Sequence, residues 1–237
     1  MKILSLETSA KAVSVAVVED GCILASAYQN VGLTHSVTLM PLLDSMLKNA
    51  GLSLGDMGCI AVANGPGSFT GLRIGVSAAK GLAWAQELPC CGVSTLEAMA
   101  QNQRDFNGLV ICSMDARRNQ IYNALFDAKD GVLTRLCPDR AIGLEEVAAE
   151  LKNCQKNKII VGDGAKLCYT YLSEQGIDCR VAQGGSVMQN AMGVGLVACE
   201  MAARDAFISP SDLVPVYLRL SQAERERLAK GLPITLN

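Results

Sequence analysis

The sequence predicts an α/β protein made of two consecutive blocks of similar design. Three short β-rich runs open the chain, at residues 2–6, 12–18 and 22–28, and the brief polar turns between them are typical of an antiparallel meander. Segments of helical and strand periodicity then alternate. From residue 109 onward the same order returns, although no residue-level repeat is visible. These observations predict a duplicated α/β unit of roughly a hundred residues per block.

The first block continues with two predicted helices and two predicted strands. Apolar residues line one face of residues 36–50, which predicts a helix that Pro41 either starts or kinks. A strand at 59–63 and a Gly-Pro-Gly turn lead into a second helix at 70–86, which Pro89 ends before a strand at 91–93. The order of the block is therefore βββ-α-β-α-β.

The second block contains corresponding elements. The predicted strands are residues 110–114, 121–126, 132–136 and 159–161, and the predicted helices are residues 143–153 and 187–204. A polar stretch at 102–108 marks the boundary between the blocks. We therefore expect an N-terminal lobe at residues 1–103, a C-terminal lobe at 109–220, and a charged tail at 221–237 that includes a solvated or partner-bound helix at 221–230.

Composition excludes several classes of protein. The net charge is −2 and the pI is near 5.5, so the chain lacks the excess of positive charge expected of a protein that binds nucleic acid by itself. If it contacts RNA, a partner would have to supply the positively charged side chains. No run of about eighteen continuous apolar residues is present to span a membrane. The ten cysteines show no Cys-x-x-Cys spacing, and no secretory signal precedes them, which indicates free thiols in a cytoplasmic protein.

Charge is distributed unevenly along the chain. Residues 1–103 hold 12 of the 44 charged side chains, so the first block is poor in solvated surface. On a helical wheel for residues 70–86, an arc of roughly 240° is apolar or small, whereas one buried face needs a stripe of little more than about 100°. This helix is therefore expected to be covered on two sides, either entirely by its own chain or partly by a second protein.

Acidic and hydroxyl residues at strand ends suggest a nucleotide site. Glu7, Thr8 and Ser9 follow the first strand, and Asp115 and Asp163 stand at strand ends in the second block; simple acidic turns are the alternative. The glycine-rich turn before the second helix could hold a phosphate or be only a tight turn, and it matches neither the dinucleotide fingerprint nor the Walker A pattern. Because His35 is the single histidine, Ser-His catalysis is not expected.

Several motifs together resemble the bacterial TsaB (YeaZ) family over nearly the whole chain. The specific motif is GPGSFTGLRIG at residues 65–75, and HS at 35–36, LL at 42–43, DARR at 115–118 and PVYLR at 215–219 occur in the expected order. The resemblance implies a two-lobed actin-like fold, of the ASKHA or duplicated ribonuclease H-like type. It also implies a role in placing threonylcarbamoyl on the adenosine next to the anticodon of certain tRNAs.

In that role the resemblance implies a non-catalytic subunit. Its partners would be the related catalytic subunit TsaD and the ATPase TsaE, with the donor made by TsaC and with tRNA reached only through the complex. The catalytic relative carries a His-x-x-x-His metal pair, and the corresponding positions here are Thr95 and Met99, which are not competent ligands for iron or zinc. We therefore expect no metal and no required cofactor, with any ATP or ADP bound at a partner interface.

The resemblance further implies that the two helices of the first block form the partner interface, with TsaD or, in the isolated chain, with a second copy. The candidate interface residues are Leu39, Leu43, Met46, Leu72, Gly75, Ala79 and Leu82. One alternative function is a nucleotide-dependent phosphotransferase or ATPase of the actin-like fold that uses Glu7, Asp115 or Asp163 with magnesium. A metallopeptidase, which would require a bound transition metal, is another.

Overall fold

A computed structural model describes residues 1–117, 119–220 and 227 and contains two β-sheets. The strands of the first sheet are β1 (Lys2–Glu7), β2 (Val13–Glu19), β3 (Cys22–Gln29), β4 (Cys59–Gly65) and β5 (Cys90–Ser94), in the order β3-β2-β1-β4-β5. The strands of the second sheet are β6 (Gly108–Asp115), β7 (Gln120–Lys129), β8 (Val132–Arg135), β9 (Arg140–Gly143), β10 (Lys158–Val161) and β11 (Arg180–Val181). Their order is β11-β10-β6-β7-β8, and β9 pairs with β7.

The two sheets share one plan. Each opens with an antiparallel meander, β1-β2-β3 or β6-β7-β8, and then adds two strands parallel to its first strand. Parallel additions need crossover connections, and helices provide them. The duplicated unit predicted from the order of elements is thus present in the fold.

Within residues 1–220, six α-helices of the described part of the chain cover the sheets. They are α1 (His35–Ala50), α2 (Phe69–Gln86), α3 (Thr95–Gln101), α4 (Leu144–Leu151), α5 (Ala165–Glu174) and α6 (Ala191–Ala202). Helices α1 and α2 pack on one face of the first sheet, and α4 and α5 pack on one face of the second. Helix α6 packs on the other face of the first sheet, and α3 on the other face of the second. Because α3 and α6 also contact each other, they form the layer between the sheets.

The C-terminal part of the chain does not stay with the second sheet. Helix α6 packs against β1, β2 and β4, and Ile208 exchanges two backbone hydrogen bonds of 2.9 Å with Cys90 at the edge of β5. Residues 109–220 were expected to form the second lobe, but the part of this range that follows the second sheet packs on the first lobe instead. The reason is that α6 covers the apolar inner face of the first sheet. The predicted boundary at 102–108 separates α3 from β6.

Some predicted elements differ in detail. Pro41 lies inside α1 and does not start it, and the helix predicted at 187–204 spans only Ala191–Ala202. Helices α3 and α5 and strands β9 and β11 are not among the predicted elements. The predicted charged tail at 221–237 lies outside the described residues apart from Arg227. Within the described part of the chain, no helix combines the length and apolarity needed to cross a bilayer.

Candidate functional site: the interlobe cleft and the α1–α2 surface

A cleft of about 430 Å³ opens between the lobes, at the carboxyl ends of β1, β6 and β10. Its lining includes three of the residues that the sequence singled out, Ser9, Asp115 and Asp163. Glu7 ends β1 and interacts electrostatically with Asp163, so the predicted nucleotide candidates of both blocks lie around one site. Thr8 has a structural role instead, because its hydroxyl donates a hydrogen bond of 2.8 Å to the carbonyl of Gly71 in α2.

The carboxyl group of Glu7, which is buried and does not itself line the cleft, has a strongly perturbed pKa. The pKa of this carboxyl is raised to about 7; burial away from water is the main cause, the charge of Asp163 adds to the rise, and the hydrogen bond from the Ser9 backbone opposes it. Its Oε1 accepts the backbone N–H of Ser9 at 2.5 Å, but its Oε2 and the Ser9 hydroxyl have no hydrogen-bond partner among the described residues. Burial therefore favours the neutral form of Glu7.

The two aspartates differ from each other. Burial raises the pKa of Asp163, which accepts a hydrogen bond of 3.2 Å from the Gln189 side-chain amide. Asp115 is exposed and accepts the backbone N–H of Arg117 at 2.7 Å. Mg²⁺ in phosphate-transfer sites is bound through ionised carboxylates. In the chain without a cation, burial favours the neutral form of both Glu7 and Asp163.

The glycine-rich turn is explained by close packing on the segment that follows β1. A Cβ atom added at Gly67 would lie 2.6 Å from the carbonyl oxygen of Ser9, and one added at Gly71 would overlap the carbonyl oxygen of Thr8. The Ser68 N–H donates to the Ser9 carbonyl at 2.7 Å, and the Ser68 hydroxyl caps α2 by accepting the Gly71 N–H at 3.3 Å. Of the two alternatives for this turn, the geometry favours the tight turn.

An irregular segment near the C-terminus bridges the mouth of the cleft. The ring of Tyr217 stacks on that of Phe69 with their centroids 4.3 Å apart, and the Tyr217 hydroxyl accepts a hydrogen bond of 3.1 Å from Arg73 Nε. Two residues later, the Arg219 guanidinium donates to the carbonyls of Ala116 and Arg117 after β6. These contacts join α2 to the second lobe and account for the PVYLR and DARR motifs. Arg118, part of the latter motif, lies outside the described residues.

The positions that correspond to the relative's metal ligands are part of the core. Thr95 and Met99 on α3 are fully buried, and Met99 packs in the core of the second sheet. Glu97, between them, forms an ion pair of 2.7 Å with Arg135. Within the described ranges, no group of three His, Cys, Asp or Glu side chains could hold a metal ion. The residues at these positions therefore do not fit the relative's metal site.

The predicted partner interface requires a correction. All seven candidates, Leu39, Leu43, Met46, Leu72, Gly75, Ala79 and Leu82, are buried inside the N-terminal lobe. Their apolar face packs on the first sheet, because α1 and α2 need that face to cover β1, β2 and β4. Gly75 is small because a Cβ atom there would overlap the Thr8 hydroxyl. The chain's own core thus covers the inner side of α2.

Other residues of the same helices, together with Leu33 just before α1, are exposed or partly exposed and mostly apolar. We call Leu33, Val37, Met40, Thr70 and Ile74 the α1–α2 surface. The first three are 58%, 65% and 44% exposed. Leu33, Thr70 and Ile74 line a groove of about 310 Å³ where the two helices begin. Sequence periodicity missed these side chains because they flank the buried stripe and carry no pattern of their own.

Comparisons with known proteins agree on one family. The family model described as "TsaD: tRNA N6-adenosine threonylcarbamoyltransferase" matches residues 29–225. The chain is 34% identical to the tRNA threonylcarbamoyladenosine biosynthesis protein TsaB of Bacillus subtilis, over 94% of this chain and 96% of that protein. It is 32% identical to the Escherichia coli protein of the same name, over 92% and 95% of the two chains.

Solved structures agree with this assignment. YeaZ from Pseudomonas aeruginosa superimposes with a TM-score of 0.79 at 28% identity, over 92% of this chain and 99% of that one. Component A of (R)-2-hydroxyglutaryl-CoA dehydratase from Acidaminococcus fermentans superimposes with a TM-score of 0.51 at 13% identity, over 86% of this chain and 99% of that one. This similarity shows the fold alone. The predicted actin-like fold class is confirmed. Sequence and structure together show that the chain belongs to the TsaB (YeaZ) family of tRNA threonylcarbamoyladenosine biosynthesis proteins.

Proposed function

We propose that this chain is a non-catalytic subunit for N6-threonylcarbamoylation of the adenosine beside the tRNA anticodon, and that it binds its catalytic relative TsaD through the α1–α2 surface. The observation that carries this proposal is the exposed apolar surface on two helices whose inner faces already cover the core. Exposed apolar side chains that lie side by side are typical of interaction sites. Membership in the TsaB (YeaZ) family identifies the pathway as tRNA threonylcarbamoyladenosine biosynthesis.

The composition of this surface suits a helical partner. Val37 and Met40 lie on successive turns of α1, and Ile74 on α2 is partly exposed. Gly81, further along α2, has open space where a Cβ atom would lie, so a partner helix could approach the backbone closely there. Residues 1–103 hold only 12 of the 44 charged side chains, so few charges would lose their hydration when a partner covers this surface.

Absence of catalysis is supported by the chemistry of the described residues. Thr95 and Met99 cannot replace the relative's metal ligands, and Glu7 is buried and is not among the residues that line the cleft. The geometry therefore gives no support to the alternative phosphotransferase or ATPase, nor to a metallopeptidase. Hydrolysis of ATP by the isolated chain, abolished by Glu7→Gln, would revive the phosphotransferase or ATPase alternative.

We further propose a place for the other components. Because the net charge is −2, tRNA binds through the complex and not through this chain alone. TsaE joins the complex of this chain with TsaD, any ATP or ADP binds at a partner interface, and the complex works in the cytosol. Lys11, Arg117 and Arg219 line the mouth of the cleft and supply the cations that a nucleotide phosphate shared with a partner would need.

Sedimentation velocity of this chain mixed with TsaD of the same cell tests the interface. We expect a heterodimer with the wild type and none with Met40→Glu, because the glutamate would bury a charge in an apolar contact. Val132→Glu is the matched control, since Val132 is 63% exposed on β8 of the other lobe. A complex that survives Met40→Glu, or that Val132→Glu destroys, would contradict the proposed surface.

A further inference from the structure

Helix α2 carries a surface stripe in which positively charged and aromatic side chains are interleaved. Arg73, Lys80 and Trp84 lie on one side of the helix, because residues seven and four positions apart return to the same face. The irregular segment near the C-terminus adds a further ring, which stacks on the first residue of the helix. We call this stripe the α2 track, and its members are Phe69, Arg73, Lys80, Trp84 and Tyr217.

Both cations of the α2 track lie against aromatic rings. The Arg73 guanidinium is 4.1 Å from the centroid of the Phe69 ring, and Lys80 Nζ is 5.6 Å from that of Trp84. Phe69 in turn stacks on Tyr217. These contacts orient the side chains before a ligand arrives, which lowers the entropy cost of binding.

The positive charge of the track is not neutralised within the described part of the chain. Neither Arg73 nor Lys80 forms an ion pair with an acidic side chain of the described residues. Their hydrogen bonds go to neutral oxygens, the Tyr217 hydroxyl at 3.1 Å and the Ser211 carbonyl at 3.2 Å. Helix α2 has no acidic residue. At its Tyr217 end the track adjoins the mouth of the cleft, where Arg219 adds a third positive charge.

The rings of the track keep accessible surface along a considerable length. Trp84 is 59% exposed and Tyr217 is 39% exposed. From Phe69 to Trp84 the track extends for about 22 Å, because each helical residue rises about 1.5 Å. Surfaces that bind single-stranded nucleic acid combine these features: cations contact the phosphates, and unpaired bases stack on the rings.

We propose that the α2 track is a contact surface for RNA, on which unpaired bases of the tRNA stack in the complex with TsaD. The inference rests on the proposed function, which makes tRNA the substrate of that complex. An acidic peptide would pair with the cations but would leave the exposed ring of Trp84 without a partner, whereas a nucleotide uses both. Because the whole chain has a net charge of −2, the contact is weak without TsaD.

The α2 track and the α1–α2 surface lie on neighbouring faces of one helix. Ile74 belongs to the α1–α2 surface and follows Arg73 directly, so the two side chains are separated by about 100° around the helix axis. TsaD bound over Ile74 therefore leaves the track at the border of the interface. Cations of both subunits can then contact one RNA.

Fluorescence anisotropy of a labelled, unmodified tRNA, titrated with the preformed complex of this chain and TsaD, tests the proposal. We expect Trp84→Ala to weaken binding by at least about fivefold, because a stacking platform is lost, and Trp84→Phe to retain most of the affinity. Lys80→Gln should make the slope of log K against log salt concentration shallower by about 0.7, the loss of one phosphate contact. A purely structural role for Lys80 would not change this slope.

Matched controls lie on α5 in the other lobe. Lys166 and Tyr169 are exposed on one helix, as the track residues are, so Lys166→Gln and Tyr169→Ala remove the same chemistry elsewhere. Both should bind tRNA with the affinity and salt dependence of the wild type. Sedimentation velocity with TsaD measures complex formation separately, and we expect Trp84→Ala and Lys80→Gln to form the complex.

The isolated chain provides a second test that does not depend on TsaD. At low salt it should bind the same tRNA weakly, and Trp84→Ala should weaken that binding further. Failure of the wild type to bind TsaD would thus contradict the proposed function while the track is still tested. Unchanged tRNA affinity of Trp84→Ala would overturn the RNA contact. Unchanged affinity together with weaker recruitment of TsaE would assign the track to a protein partner instead.

Discussion

Gly75 shows how the absence of one side chain lets α2 approach the segment after β1. Because a Cβ atom would overlap the Thr8 hydroxyl, we expect Gly75→Ala to destabilise the protein by about 1–3 kcal/mol. Gly81→Ala is the matched control on the same helix. It places a methyl group in open space and should stabilise by up to about 1 kcal/mol through helix propensity. Urea denaturation of both variants measures the difference, and equal effects would contradict the packing described for Gly75.

Glu7 makes stability depend on pH in a defined direction. The folded pKa of about 7 lies above the ordinary value of 4.5, so between these values the folded state holds a proton that the unfolded state releases. Stability is therefore highest below about pH 4.5 for this group, falls as the pH rises to about 7, and then levels off. The full loss is about 3 kcal/mol.

Glu7→Gln should remove this contribution. The free energy of unfolding of the variant, relative to the wild type, should rise between pH 5 and pH 8, because glutamine stays neutral in the same buried place. Denaturant unfolding at both pH values measures the change, and the wild type serves as the reference for all other titrating groups. A difference between the two proteins that is the same at pH 5 and pH 8 would show that Glu7 is already ionised in the fold.

Among the elements, helix α3 is tied to the second sheet by a compact ionic network. Arg135, at the end of β8, pairs with Glu97 on α3 at 2.7 Å and with Asp139 at 2.6 Å. The hydroxyl of Ser94, which caps α3, donates to Asp139 at 2.5 Å. The three charged side chains are at most 32% exposed, so solvent screens them only in part.

Arg135→Gln should therefore lower stability by about 1–3 kcal/mol, because it leaves two carboxylates close together without a counter-charge. Thermal and urea unfolding measure the loss. Lys48→Ala is the comparison, since the Lys48–Asp44 pair on α1 is largely exposed, and its removal should have no measurable effect. Equal losses from the two variants would show that the Arg135 network adds nothing beyond a surface ion pair.

Periodicity identified most elements of the fold but not their partners. The meander β1-β2-β3 and helices α1 and α2 were predicted within one or two residues, because alternating and 3.6-residue patterns are strong there. Helix α3 was missed because its seven residues follow β5 without a turn. The wheel of α2 showed a wide apolar arc, but a wheel cannot tell which neighbour covers each side. The family resemblance, and not the wheel, assigned the buried positions of Leu72 and Ala79 to a partner interface.

At the scale of the whole molecule, the candidate site comes from long-range contacts that local patterns do not encode. The strand ends at Glu7, Asp115 and Asp163 were predicted individually, and the duplicated topology brings them to one cleft. The bridge from Tyr217 and Arg219 across its mouth carries no periodic signal, because the segment is irregular. The lobe to which α6 belongs could not be read from its place in the sequence either, since α6 packs against the first sheet.

The central claim is that this chain supports tRNA modification through binding and not through chemistry of its own cleft. The most direct test is threonylcarbamoylation of tRNA in a system reconstituted with TsaD, TsaE and the donor-forming enzyme. We expect Glu7→Gln to modify tRNA as well as the wild type does, and Met40→Glu to lose activity in proportion to its loss of TsaD binding. A Glu7→Gln protein that binds TsaD normally yet modifies no tRNA would contradict the claim.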